Sequence, residues 1–190
     1  MKIFTKFDHM HFRESYIKDL FEITPRLFKD DRGFFFESYN TKVFKDNGLD
    51  LTFVQDNQSY SIPGVVRGLH FQNAPHAQGK LVRVIKGKIL DVAVDIRKDS
   101  PTFGKYDTFL LDSEKCNMVY IPEGFAHGFS ALEESIVFYK CTDLYHKESE
   151  SGIIWNDPSL NIDWMVKNPL VSDKDQLLKP LKELFSLSSL

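Results

Sequence analysis

Between residues 51 and 142 the chain is a succession of short runs rich in β-branched and aromatic residues, each closed by a turn signal, and helical periodicity is almost absent until the C-terminus. Strands of that length and spacing restrict a chain to a sandwich or a barrel. Residues 51–55, 81–85, 106–111, 118–121, 126–132 and 136–142 read as strands, with Ser100-Pro101, Asp112-Ser113 and Pro122-Glu123-Gly124 as separators. The pattern predicts a hairpin between residues 80–85 and 89–96 across Lys86-Gly87-Lys88, with Leu90, Val92, Val94 and Ile96 as the core face and Asp91 and Asp95 on the other. Upstream, residues 20–28 and 33–39 read as a strand pair around a turn at residues 29–33, and residues 41–47 as a short helix stopped by Gly48. Downstream, Ser172 is placed as a helix N-cap with Asp173 and Asp175 in the first turn, and Pro180 must break or restart the helix that follows.

A chain of 190 residues is long enough for one well-buried domain and short for two. We read residues 1–190 as a single domain, with an N-terminal extension over 1–19 and a helical C-terminal segment over 173–190. Seventeen phenylalanines imply a large aromatic core and an apolar subunit interface. A net charge of -3, with Lys and Arg scattered among acids, gives no reason to expect a nucleic-acid partner. Cys116 and Cys141 have no metal spacing and read as buried thiols. The first residues break their apolar positions with charges, so neither a signal peptide nor a membrane span is expected, and the default compartment is the cytoplasm. Asp8-His9-Met10-His11 has the look of a metal clip, but it lies in the stretch read as peripheral.

Residues 64–80, G-V-V-R-G-L-H-F-Q-N-A-P-H-A-Q-G-K, concentrate polar chemistry between apolar runs. On a two-residue period Arg67 and His70 would face opposite ways, so a bulge at Gly68 is needed to bring both into one pocket. His70 follows Gly64 at the G-x5-H spacing and His127 completes P-x-G-x-x-H from Pro122, the two contexts of a cupin. They point to a mainly β fold, the double-stranded β-helix or jelly roll, with short peripheral and C-terminal helices. Gln72 stands where metal-binding cupins carry a second histidine, and no glutamate occurs from Val65 to Gly87. Two ligands do not make a catalytic metal site, so a site without metal or cofactor is expected.

Each remaining group has two readings. His70 is a structural histidine or a general base. Lys80 is a solvated strand end or the fixed ammonium that a developing enolate oxygen requires. Tyr139 is one more strand aromatic or a proton donor opposite the base, and Asp175 is a first-turn helix acid or the group that orients His70. Arg67 and Arg32 suit a diphosphate or form surface ion pairs.

Taken together, D-D-R-G-F-F-F-E-S, F-V-Q-D-N-Q-S, G-V-V-R-G-L-H-F-Q, A-Q-G-K-L-V-R-V, I-P-E-G-F-A-H-G-F and W-N-D-P-S-L-N-I-D-W occur in the order of one family. Over residues 21–175 the chain resembles the dTDP-4-dehydrorhamnose 3,5-epimerases. The resemblance implies a cupin-type homodimer with shared sites, acting on a dTDP-4-keto-6-deoxyhexose. His70 is then the base, Asp175 its partner, Lys80 the cation at the C4 oxygen and Tyr139 the acid, with His127 lining the site. It places Phe28 and Tyr145 against the nucleotide base, Glu37 near its edge, and Arg32, Gln55, Asn57 and Arg67 around phosphates and sugar, with Phe28, Arg32 and Glu37 supplied by the neighbouring chain. Departures from the family pattern are a longer N-terminus, Met165 in place of a common proline, Tyr106 in place of a tryptophan, and one residue fewer between His127 and Tyr139. Rival readings are a mono-epimerase, a 3,4-ketoisomerase using His70, His76 and His127, and a sugar-nucleotide-binding cupin without turnover.

Overall fold

A computed structural model describes residues 10–186. In chain order its elements are β1 (Met10–Glu14), β2 (Phe21–Pro25), β3 (Phe28–Asp30), β4 (Gly33–Phe35), α1 (Thr41–Asp46), β5 (Gln55–Ser61), β6 (Val65–Gln72), β7 (Lys80–Lys86), β8 (Lys88–Asp95), β9 (Tyr106–Asp112), β10 (Met118–Ile121), β11 (Phe125–Ala131), β12 (Ser135–Cys141), β13 (Glu150–Gly152), β14 (Leu170–Val171), α2 (Asp173–Gln176) and α3 (Leu181–Ser186). One sheet runs β1-β2-β10-β7-β12-β5; the other runs β13-β6-β11-β8-β9, with β14 added in parallel to β6. The expected mainly β jelly roll is what the chain forms.

Val82, Val84, Ile89, Ala93, Phe125 and Val137 meet between the sheets. Because strand side chains alternate, the neighbouring residues cover the outer faces. Val66, Leu90, Val92 and Val94 pack under Trp164, Leu160 and Leu181 of the C-terminal segment, while Leu81 and Met118 pack under Phe44 of α1. Among the described residues the buried phenylalanines are few (Phe44, Phe109, Phe125 and Phe129), and Phe28, Phe34 and Phe35 lie exposed, so the core is more aliphatic than the composition suggested.

Several expectations are corrected. The strands at 80–85 and 89–96 exist, but they do not pair: β7 joins β10 and β12, and β8 joins β11 and β9. Gly87 is therefore a corner between sheets, where a Cβ would sit 2.2 Å from Glu134 O. The second face of β8 is not exposed either, since Asp91 and Asp95 are both fully buried. Asp95 accepts hydrogen bonds from Arg97, Ser100 and Thr102, which hold its carboxyl at about 2 against the opposing effect of burial. The strand expected at 51–55 begins only at Gln55 and runs on through the polar residues to Ser61. Residues 20–28 split, β2 entering the large sheet and β3 pairing with β4 alone. Within the stretch taken as an N-terminal extension, Met10–Glu14 forms the edge strand β1, and Ile17 is buried in the core. Asp8 and His9 of the clip-like sequence lie outside the described residues, as does the end of the C-terminal segment. The helix at 41–47 and the Ser172 cap, whose Oγ accepts the Asp175 N–H, form as expected. Among the described residues no helix is long and apolar enough to cross a membrane.

Candidate active site

On β6 the residues Gly68 and Leu69 face a single residue of β11, because His127 pairs with His70 and Phe129 with Arg67. Glycine is required on both sides of this bulge. Gly68 adopts φ +127°, and a Cβ on it would lie 2.6 Å from Gly128 Cα; a Cβ on Gly128 would lie 2.6 Å from Arg67 O. The extra residue turns Arg67 and His70, three apart in sequence, into one cavity of about 580 Å³ between the sheets. Across it stand Lys80 and Tyr139 of the other sheet. Lys80 pairs with Cys141 and Val82 with Tyr139, which puts both polar side chains on the inner face, two residues out of register.

His70 Nε2 lies 2.7 Å from Asp175 Oδ1, and Asp175 Oδ2 accepts the Gly68 N–H at 3.2 Å. Burial would raise the Asp175 carboxyl, but the hydrogen bond and field of His70, with the Gly68 N–H, hold it below its ordinary range. A carboxylate on Nε2 favours the tautomer protonated there, so the Nδ1 lone pair is left to accept a proton. Beside it, burial pushes the Lys80 ammonium down, with Cys141, Asp91 and Glu150 pulling the other way. Burial also pushes the Tyr139 phenol up, which keeps its proton available for donation. His127 Nε2 contacts Asp91 Oδ2 at 2.8 Å in the interior. Here burial lowers the imidazole more than Asp91 raises it, so His127 stays neutral near pH 7. The second oxygen of Asp91, Oδ1, has no hydrogen-bond partner among the described residues.

A second cavity, of about 320 Å³, shares His70, Lys80 and Tyr139 and adds Gln55, Asn57 and Tyr145. Gln55 Oε1 accepts the Tyr145 N–H at 2.8 Å, and its amide donates to Asn57 Oδ1 at 3.1 Å. Arg67 is braced by Ser61 Oγ at 3.1 Å and Tyr60 O at 3.0 Å. Nine of the residues singled out from sequence thus line one continuous pair of cavities. Phe28, Arg32 and Glu37 line neither; Arg32, on the exposed β3–β4 hairpin, pairs with Asp30 at 2.6 Å. His76 also stays outside, stacked on His146 with ring centroids 3.8 Å apart. Gln72 is committed to the backbone: its amide donates to His76 O and Leu144 O, and its oxygen accepts the His146 N–H.

Sequence reasoning missed Asp91, Glu150, Lys174 and Ser59. Asp91 was assigned only to a non-core face. Glu150 accepts from Tyr145 (3.0 Å) and from Lys174 (2.6 Å), contacts that no local spacing signals for the 150–174 pair. Ser59 was legible, since it follows Asn57 by one strand period and lines the larger cavity.

Comparison with known proteins bears on this geometry. The model of a family described as dTDP-4-dehydrorhamnose 3,5-epimerase matches residues 14–183. The dTDP-4-dehydrorhamnose 3,5-epimerase of Methanothermobacter thermautotrophicus is 54% identical over 165 residues, covering 85% of this chain and 89% of that protein. A crystal structure of the Bacillus anthracis enzyme of the same name, with TDP and PPi bound, is 48% identical and superposes with a TM-score of 0.88, covering 90% of this chain and 99% of its own. The dTDP-6-deoxy-D-glucose-3,5-epimerase of Legionella pneumophila, in complex with dTDP-4-keto-L-rhamnose, gives 44% identity and a TM-score of 0.90, covering 94% and 96%.

Proposed function

This chain belongs to the dTDP-4-dehydrorhamnose 3,5-epimerase family, and on that premise we propose that it inverts C3 and C5 of dTDP-4-keto-6-deoxy-D-glucose to give dTDP-4-keto-L-rhamnose. The C4 ketone acidifies both neighbouring carbons. His70 takes a proton from one of them on Nδ1, while Asp175 holds the ring and stabilises the imidazolium that forms. The electron pair moves onto the C4 oxygen, where the Lys80 ammonium, withdrawn from water, meets the developing charge. Tyr139 returns a proton to the opposite face, which inverts the carbon, and the same sequence at the second carbon completes the reaction. The observation that carries this reading is the 2.7 Å His70–Asp175 contact, made across 105 residues of chain in a cavity that also holds Lys80 and Tyr139.

Gln55, Asn57, Arg67 and Tyr145 are proposed to hold the nucleotide end, with His127 as a neutral wall of the sugar pocket. That Phe28, Arg32 and Glu37 are not among the residues lining either cavity supports a homodimer in which the β3–β4 hairpin of one subunit completes the site of the other. The backbone commitments of Gln72 support a reaction without metal, so activity should survive exhaustive chelation. The position of His76 outside both cavities counts against a ketoisomerase built on three histidines. Proton NMR of dTDP-4-keto-6-deoxy-D-glucose with the protein in deuterated water tests the whole reading. Wash-in at both C3 and C5 is expected; exchange at one carbon would make it a mono-epimerase, and none would leave a binding protein.

A further inference from the structure

We propose that Ser59 is a further substrate-binding residue, whose hydroxyl reads the C2 hydroxyl of the hexose and makes the site specific for sugars that carry it. The inference rests on the epimerase reading above. Inward-facing positions of β5 are polar throughout, Gln55, Asn57, Ser59 and Ser61 in turn, although the strand borders the core. Three of the four are satisfied within the protein: Gln55 and Asn57 by each other, and Ser61 by Arg67. Ser59 Oγ is not. It is shut off from solvent and has no hydrogen-bond partner among the described residues, although the residue lines the larger cavity.

An unpaired buried hydroxyl is destabilising, so its retention on this strand asks for a partner from outside the protein. Serine has a single side-chain torsion with three staggered wells, so a change of χ1 is the motion that would turn the oxygen towards the cavity. The identity of the partner follows from the position and from the reaction. Ser59 lies in the cavity with His127 and Asp175 and is absent from the one that Tyr145 borders, which places it at the sugar rather than at the base. On the hexose, C1 carries the diphosphate, C4 is the ketone, C6 is a methyl and the ring oxygen bridges C1 and C5. The C3 hydroxyl changes side during the reaction. Only the C2 hydroxyl is both available and fixed from substrate to product. A residue on a rigid strand can bond it throughout.

Titration calorimetry with dTDP-6-deoxy-D-glucose and with its 2-deoxy counterpart reads this bond without turnover. Ser59→Ala should weaken the first about tenfold, the scale of one hydrogen bond, and leave the second within about twofold. Its melting temperature should not fall, because the hydroxyl removed has no partner to lose. An equal loss for both sugars, or no loss for either, would overturn the assignment of Ser59 while leaving the epimerase reading intact. If the wild-type protein bound neither sugar nucleotide, both would be overturned.

Discussion

The barrel holds two histidine–aspartate pairs of nearly equal length, 2.7 Å for His70–Asp175 and 2.8 Å for His127–Asp91, and they differ in what surrounds them. His70 is 34% exposed and its aspartate comes from α2 at the far end of the chain; His127 is 8% exposed and Asp91 fully buried, on adjacent strands of one sheet. The outer pair borders the cavity, and its carboxylate is satisfied by two donors. Burial holds the inner histidine neutral and leaves one oxygen of its aspartate unpaired. On the mechanism proposed above, the same two residue types serve as a base in one place and as a fixed polar wall in the other. Exposure and second partners decide between them, not the length of the contact.

If that division holds, His70→Asn should reduce kcat by about 10³-fold or more, towards the upper end of what a general base contributes, measured by steady-state epimerisation. Tyr139→Phe comes next: it keeps the base and Lys80 but removes the opposite proton donor, so inversion should fall about 10²-fold while deuterium exchange falls much less. Asp91→Asn should change kcat by less than about tenfold and cost about 1–3 kcal/mol in a denaturant melt, because it weakens a buried hydrogen bond rather than the chemistry.

The smallest effect separates the pairs along pH. The His127 imidazole is depressed in the folded protein, so the unfolded chain binds its proton first and stability must drop as pH falls below about 6.5. Asp175 is depressed as well, but as a carboxylate: its contribution is complete above about 3.9 and is lost as pH falls further, through its folded value. Thermal melts of His127→Gln should lack the first decline and keep the second.

Much of this fold could be read from the chain because strand runs, the α1 stop at Gly48 and the Ser172 cap are local signals. Pairing is not local. Lys86-Gly87-Lys88 has the residues of a hairpin turn, yet it serves as a corner, since β7 pairs with β10 and β12 and β8 with β9 and β11. The strand β5 was misplaced for a functional reason: its inner face lines the site, so the apolar alternation that marks a strand is replaced by Gln55, Asn57, Ser59 and Ser61. The bulge at Gly68 was legible as a need, because Arg67 and His70 had to share a pocket. Asp175 could be tied to His70 only through resemblance, for no spacing rule joins residues that far apart. Asp91 was misread because period two separates the faces of a strand but does not say that both are covered.

The central claim is that a single base, His70, serves both carbons while His127 serves neither. Site-resolved NMR of deuterium wash-in at C3 and C5 tests it, with His70→Asn and His127→Asn run beside the wild type. Loss of wash-in at both carbons in His70→Asn, and its persistence at both in His127→Asn, is the expected result. Wash-in surviving at one carbon in His70→Asn and lost at that carbon in His127→Asn would contradict it, and would make the inner pair a second base.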